Sequence, residues 1–545
     1  MASRLFEELL KSRGLEDPVT RAAFLAPDYD AMRHDPFLLP DMLPAVERLL
    51  KAKKTGELVY IYGDYDIDGI TATTVLLEAF AAFGINRKAF IPNRFVEGYG
   101  LAKSAVKQLA EAGASLIVTV DCGSLSHAEI ELANELGVDV IVTDHHNVAE
   151  VMPPAIATIN PKRKDHSYPF IDLAGVGVAF KLVQALQQKT DGLPAGQEKW
   201  LLDLVAFGTV CDVVTLLDEN RANVFWGLRV MHKTKRIGFR ALAAVTGVRV
   251  EEIDARTLGF VFGPHLNAAG RLETAQHSLD LLTETDNFKA LEIANQLHEM
   301  NLARRAEQDR IAKEAKVQAE QFADDPVLVL SDPSWSHGII GIVAAKMLER
   351  YAKPTFVLQE MGEESKGSAR SYGDFSAADG IRASEQWITK GGGHKLAAGV
   401  TLPTTNIAEF RRSINDFYHS LQLTDQLRHL QPTPDARIVV FDDANRVLIA
   451  ELKQLEPFGN GNPSPIFHIP QAIVAERRTM GKEGQHLKLK LCDENKCFFS
   501  VIGFNMADKI VADAGEMVEV WIELIENEWR GNVAVEGRLL RAESL

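Results

Sequence analysis

The chain has 545 residues, too many for a single hydrophobic core, so about two to four domains are expected. Hydrophobic residues make up 46%, no apolar run is long enough to span a bilayer, and Cys122, Cys211, Cys492 and Cys497 are too scattered for a disulfide framework or a zinc ribbon. A net charge of −16 argues against passive, charge-driven attachment to nucleic acid, though not against a local basic groove.

The first stretch, MASRLFEELLKSRG, carries Glu7 and Glu8 where a signal peptide needs an apolar core, so a cytoplasmic location is expected. Residues 1 to 50 read as helical and irregular, broken by Pro36, Pro40 and Pro44. A buried strand follows at 58–62, then the acidic turn Asp64-Tyr65-Asp66-Ile67-Asp68-Gly69, then a helix over 71–83 ended by Gly84. If the turn is extended, residues two apart point the same way, and Asp66 can face one point with Asp68 or with Asp64. Crowded carboxylates are costly unless a cation binds them.

The strand and helix pattern continues. Strands are expected at 87–91, 115–120 and 138–142, and helices at 102–112 and 126–136. This alternation implies a parallel sheet covered by helices, whose ligands bind beyond the carboxyl ends of the strands. Asp66 and Asp68, then Asp121, then His145 and His146 follow three such strands. Asp212 joins them as the lone acid of the apolar run AFGTVCDVVTLL, where an unpaired buried carboxylate needs a cation.

One long helix is expected at 289–323, about 50 Å in length. On base rates its Arg304, Arg305 and Arg310 form a solvated face. A second α/β region follows, with a strand at 355–358, the run Gly367-Ser368-Ala369-Arg370-Ser371, and Gly391-Gly392-Gly393 before His394. The glycines are either a plain loop or a place where a nucleic-acid backbone approaches closely. Arg271 is either a phosphate grip or a structural salt bridge. From about Pro432 the alternation in HLKLKL, FFSVIGF and MVEVWIELI suits a small β-barrel.

Asp66, Asp68, Asp121, His145 and Asp212 are hard oxygen and imidazole donors without a thiolate, which favours Mn²⁺ or Mg²⁺. Two ions about 3.5–4 Å apart, bridged by Asp121, would suit phosphoryl chemistry, leaving His146 to meet a phosphate. Singly, each piece has a plainer reading: the acidic loop as a helix cap, the paired histidines as surface, Asp212 as a cap. Their arrival at the strand ends of one sheet is what sets them apart.

With these residues assembled, the chain resembles the DHH phosphoesterase superfamily and, within it, the RecJ family of single-strand-specific 5′→3′ exonucleases. The resemblance rests on an ordered series: GDYDIDG (63–69), PNRFVEGYGL (92–101), TVDCG (119–123), TDHH (143–146), GTVCDVV (208–214) and NAAGR (267–271). It continues with WSHGIIGIVA (335–344), GSARS (367–371), GGGHKLAAG (391–399) and LEPFGNGNPSPIF (455–467). It implies an α/β architecture: an N-terminal helical segment at 1–50, a parallel-sheet DHH catalytic domain at 51–285, a connecting helix at 286–325, an α/β DHH-associated domain at 326–425 and an oligonucleotide-binding barrel at 430–545.

By motif, Asp66, Asp68, Asp121, His145 and Asp212 match the family's metal ligands, with Asp64 and Asp144 in the same motifs, and two Mn²⁺ or Mg²⁺ ions are implied. His146 matches the residue facing the scissile phosphate. Asn267, Arg271, Arg304, Ser368, Arg370, Ser371, Gly392, Gly393 and His394 fall on motif positions implied to meet substrate. In the barrel, Phe458, Arg477, Arg478, His486 and Lys488 are the candidate strand contacts. Many relatives place a histidine four residues before the first liganding Asp; here that position is Tyr62. The implied partners are single-stranded DNA, a single-stranded-DNA-binding protein and a helicase, with no membrane and a monomeric state. A phosphodiesterase for short oligonucleotides or dinucleotides, and a non-catalytic scaffold on the same fold, are the rival readings.

Overall fold

The computed structural model describes every residue except Met1, Ala2, Phe95, Tyr99, Val511, Arg530 and Gly531, and only the backbone of Trp529 and Asn532. Phe95 and Tyr99 of the PNRFVEGYGL motif therefore lie outside the described residues. The chain divides into two compact units: 1–264 with 278–291 and 432–545, and 265–277 with 292–431.

The first unit holds an all-parallel sheet of five strands in the order β2-β1-β3-β4-β5. These are β1 Val59–Gly63, β2 Arg87–Phe90, β3 Leu116–Val120, β4 Asp139–Thr143 and β5 Ala157–Ile159. β1 and β3 are buried along their whole length, as continuous apolar runs in a sheet covered on both faces must be. The helix Ile67–Phe83 leaves β1 and ends at Gly84, whose φ of +74° only glycine adopts freely.

That helix begins four residues earlier than the composition suggested. Asp66 is its N-cap, accepting the N–H groups of Asp68 and Gly69 at 3.0 and 3.2 Å. The acidic turn is therefore not extended, and Asp68 lies in the first helical turn. The two carboxylates are separated by a cap geometry rather than aligned by strand alternation.

The same unit contains a closed barrel. Beside the short β11 Ala436–Arg437, β12 Phe467–Met480, β13 His486–Cys492, β14 Phe498–Gly503, β16 Asn532–Ser544 and β15 Met517–Trp529 follow one another, and β12 pairs again with β15. Leu487, Leu489 and Leu491 point inward along β13, the period of two expected of a half-buried strand. The helix Arg4–Ser12 packs Leu5, Phe6, Leu9 and Leu10 into this core, and Arg13 pairs with Asp435 at 3.0 Å.

The second unit carries a mixed sheet in the order β6-β7-β8-β10-β9, comprising β6 Leu328–Asp332, β7 Thr355–Met361, β8 Glu364–Arg370, β9 Lys390–Gly393 and β10 Ala397–Pro403. Most of the 35-residue helix Asn287–Gln321 belongs to it, with Ile311 and Ala315 packed against Leu328, Trp335 and Ile339. No helix among the described residues is long and apolar enough to cross a membrane.

Candidate active site

The carboxyl ends of β1, β3 and β4 deliver their polar residues to one place. Asp64, Asp66 and Asp121 bring ligand atoms within 4.8 Å of one another, as do Asp68, His145 and Asp212, and Asp121, His145 and His146. Asp121 and His145 each belong to two of these groups, which makes Asp121 a natural bridge. His145 Nε2 lies 3.1 Å from Asp121 Oδ1, 3.5 Å from Asp212 Oδ2 and 3.8 Å from Asp68 Oδ2.

Local structure explains the placement. Asp121 leaves β3 at φ +61°, a left-handed turn that swings its carboxylate across the sheet end. Asp68 accepts the Gly175 and Val176 N–H groups at 2.6 and 2.8 Å, at the positive end of the helix Gly175–Gln187. A Cβ on Gly175 would sit 2.7 Å from the Asp121 side chain, so only glycine leaves room there. Asp212 is the C-cap of the helix Leu202–Cys211.

The electrostatics suit cations. Burial, with the neighbouring acids, pushes Asp68 up to about 7 and Asp212 to about 9, and raises Asp64 and Asp121 well above the usual carboxylate range. Burial and the nearby His146 lower His145 to about 3, so it is a neutral imidazole. Asp64 Oδ1, Asp121 Oδ1, Asp212 Oδ2 and His145 Nε2 are buried without a hydrogen-bond partner. Orphaned oxygen and imidazole atoms spread over these overlapping groups fit divalent metal ions of the hard class.

Asp144 plays another part. Its Oδ1 accepts His146 Nδ1 at 2.9 Å and the N–H groups of His145 and His146, while Oδ2 accepts the Ser124 N–H. Burial alone would raise Asp144, but these donors hold it well below the ordinary value. Burial likewise opposes the charge on His146, yet Asp144 outweighs it and raises the imidazole. The motif gave no sign of this role. Tyr62 is no ligand: it is buried, donates to Gly100 O at 3.0 Å and stacks on Phe90. Cys122 is a core residue, whereas Cys211 is half-buried on the wall of a cavity.

The second unit places the remaining motif residues. Arg370 donates to Ser368 Oγ and to a backbone carbonyl, and among the described residues no carboxylate pairs with it. Gly341 makes room for it: a Cβ there would lie 2.9 Å from Ser368 Oγ and 3.3 Å from Arg370 Nη2. Arg271 donates to Gly338 O at 3.0 Å, a backbone contact. These glycines of WSHGIIGIVA are packing residues that the motif alone did not explain. Gly392, Gly393 and His394 are exposed at the sheet edge formed by β9, and Asn267 is half-buried.

Other expectations need correcting. Arg304 is no solvated residue; it is 8% exposed and bonded to Asn301 and Gln308 on its own helix. Ser371 is buried and its hydroxyl donates to Phe375 O. In the barrel, Lys488 pairs with Glu536 at 2.8 Å, Arg477 donates to the Ala507 and Ile510 carbonyls, and Phe458 packs against the core. Arg478 is exposed, and His486 accepts the Asn505 N–H.

A parallel sheet whose strand ends gather unpaired acids and two adjacent histidines defines a metal-dependent phosphoesterase of the DHH class; the DHH family N-terminal domain matches residues 58–209, and the DHHA1 domain matches 324–420. The RecJ OB domain matches 437–540. The single-stranded-DNA-specific exonuclease RecJ of Bacillus subtilis is 36% identical over 533 residues, spanning 96% of this chain and 66% of its own length. That of Escherichia coli is 33% identical over 517 residues, spanning 90% of this chain and 88% of its own. The crystal structure of RecJ from Thermus thermophilus with Mn²⁺ superposes with a TM-score of 0.85 at 30% identity, covering 99% of this chain and 76% of that one. A second structure of that protein holds Mg²⁺. The chain belongs to the RecJ family.

Proposed function

We propose that the chain is a metal-dependent exonuclease that degrades single-stranded DNA from its 5′ end to mononucleotides. The observation that carries this reading is the set of four buried, unpartnered donor atoms of Asp64, Asp121, Asp212 and His145. Its relatives are exonucleases specific for single-stranded DNA, and the crystallised Thermus protein binds Mn²⁺ and Mg²⁺.

Asp64, Asp66, Asp68, Asp121, His145 and Asp212 would hold two ions, with Asp121 between them. Bound there, Mn²⁺ or Mg²⁺ supplies Lewis-acid polarisation of a phosphoryl oxygen and a nucleophilic water. The chain's own groups do the rest. Asp144 accepts from His146 Nδ1 and strengthens the imidazole's hold on its proton, so the ring would donate from Nε2 to the phosphate oxygen that gains charge. Arg370, which no carboxylate pairs with among the described residues, would meet a phosphate of the strand. The barrel would hold the strand through aromatic stacking and backbone contacts. We further place the protein in cytoplasmic DNA repair and recombination, as a monomer working with a single-stranded-DNA-binding protein and a helicase.

The test is a polarity assay. One long oligonucleotide, single-stranded or annealed, is labelled at either end and incubated with Mn²⁺, Mg²⁺ or chelator. Immediate release of the 5′ label as mononucleotide, from single strands and only with metal, supports the reading. Survival of the long strand while a dinucleotide is cleaved would replace it with a small-substrate phosphodiesterase.

A further inference from the structure

The helix that carries Asp212 ends there, and the chain leaves it through Val213 at φ +62°. A β-branched residue resists that left-handed conformation. Packing does not impose it, since Val213 is 66% exposed. Its N–H donates to Val210 O at 3.3 Å, and its carbonyl is held by a residue of the LEPFGNGNPSPIF motif. Asn460 donates from Nδ2 to Val213 O at 2.9 Å, and its own carbonyl accepts the Leu216 N–H at 2.7 Å. One residue thus grips both ends of the segment 213–216.

Asn460 is itself firmly based. Arg221, 1% exposed, donates to the carbonyls of Leu455, Glu456 and Pro457. Asn462 Nδ2 donates to the Leu455 and Pro457 carbonyls at 2.8 and 2.9 Å. Gly459 lies so close that a Cβ on it would sit 2.6 Å from Leu216 Cδ1. The loop is therefore seated on the segment that follows Asp212 before the chain enters the barrel.

We propose that Asn460 is a positioning residue for the metal centre, holding Val213 in its left-handed conformation and so fixing where Asp212 presents its carboxylate. The proposal rests on Asp212 being a metal ligand. It gives the motif between the catalytic sheet and the barrel a task beyond connection: the seating of the barrel and the geometry of one ligand depend on the same loop.

The experiment titrates Mn²⁺ into the full chain without DNA, by calorimetry and by the electron paramagnetic resonance of free Mn²⁺. In parallel, single-stranded oligonucleotide binding is measured by anisotropy in chelator. Asn460→Ala is expected to weaken one of two Mn²⁺ sites about tenfold. Metal-free DNA affinity stays at the parental level. Adding Val213→Gly to Asn460→Ala recovers most of the loss, because glycine adopts positive φ without strain. Asp212→Ala serves as the reference and loses the same site. Parental Mn²⁺ binding in Asn460→Ala beside a loss in Asp212→Ala overturns the coupling while leaving the ligand assignment intact. A parallel fall in metal-free DNA binding also overturns it, since the loop then merely seats the barrel. Parental binding in Asp212→Ala removes the ligand, and the proposal with it.

Discussion

The catalytic sheet and the C-terminal barrel share one compact unit yet treat their charges in opposite ways. At the strand ends of the sheet, acids and an imidazole are buried with donor atoms that no protein group satisfies. On the barrel, Lys488 is already bonded to Glu536. A buried charge left unpaired is tolerated only where something from outside completes it. A charge with a good internal partner is committed to the fold. Phe498 and Phe504, 56% and 55% exposed, lie beside Lys490 and His486, and flat aromatic faces are what a single strand stacks on.

The contrast breaks most sharply at Asp121. Asp121→Ala should lower kcat by about a thousandfold or more and abolish tight Mn²⁺ binding in a folded protein; near-parental turnover would refute the centre. His146→Ala should cost about a hundredfold in kcat. Asp144→Asn should lose less and move the high-pH limb of the rate profile to lower pH, because the imidazole loses the carboxylate that raises it. An unmoved limb would separate His146 from the reaction. Arg370→Ala should cost about tenfold in kcat/KM, read by steady-state kinetics on a labelled oligonucleotide. At the barrel, Lys488→Ala should change metal-free DNA affinity by less than about twofold, with Phe504→Ala costing more; the reverse order would show the paired lysine to be available after all.

The same contrast has a pH signature. Asp68 at about 7 and Asp212 at about 9 lie above the 3.8 of an unburied carboxylate. The folded, metal-free protein therefore keeps protons that the unfolded chain has already released. Its stability is fullest below the unfolded value and is lost as the pH rises through 7 and then 9. Mn²⁺ opposes that loss, because the ligands bind as carboxylates. Melting curves in chelator should fall between about pH 6 and pH 9, and the gain on adding Mn²⁺ should grow. A melting temperature that is level in chelator would sink this account.

Much of the sheet was legible because β1, β3 and β4 are continuous apolar runs that stop at polar residues, and strand ends are where such sheets bind. The position of Asp121 and His145 followed from that, whereas Asp212, a helix C-cap, was picked out as the lone acid of an apolar run. The helix start at Ile67 was not legible, since Asp66 reads equally as an extended ligand or as a cap, and only the N–H groups of Asp68 and Gly69 decide. Arg304 was misread because its burial depends on Asn301 and Gln308 stacking along one helix face in a packed unit. The tie of Asp144 to His146 and that of Asn460 to Val213 were hidden for a related reason. A polar residue's sequence does not say whether its partner lies 2 positions away or 247.

The helix Arg4–Ser12 gives the chain an unusual order of events. Its apolar face completes the barrel core, and Ser3 bonds to Glu451 across 448 positions. At about 5–20 residues per second a ribosome needs roughly half a minute or more to supply those partners. Throughout that interval the helix has its leucines ready and nothing to place them on. Contacts so far apart in sequence form late, so the barrel core closes only after its own strands have been made, and a change in the helix Arg4–Ser12 would declare itself in the barrel.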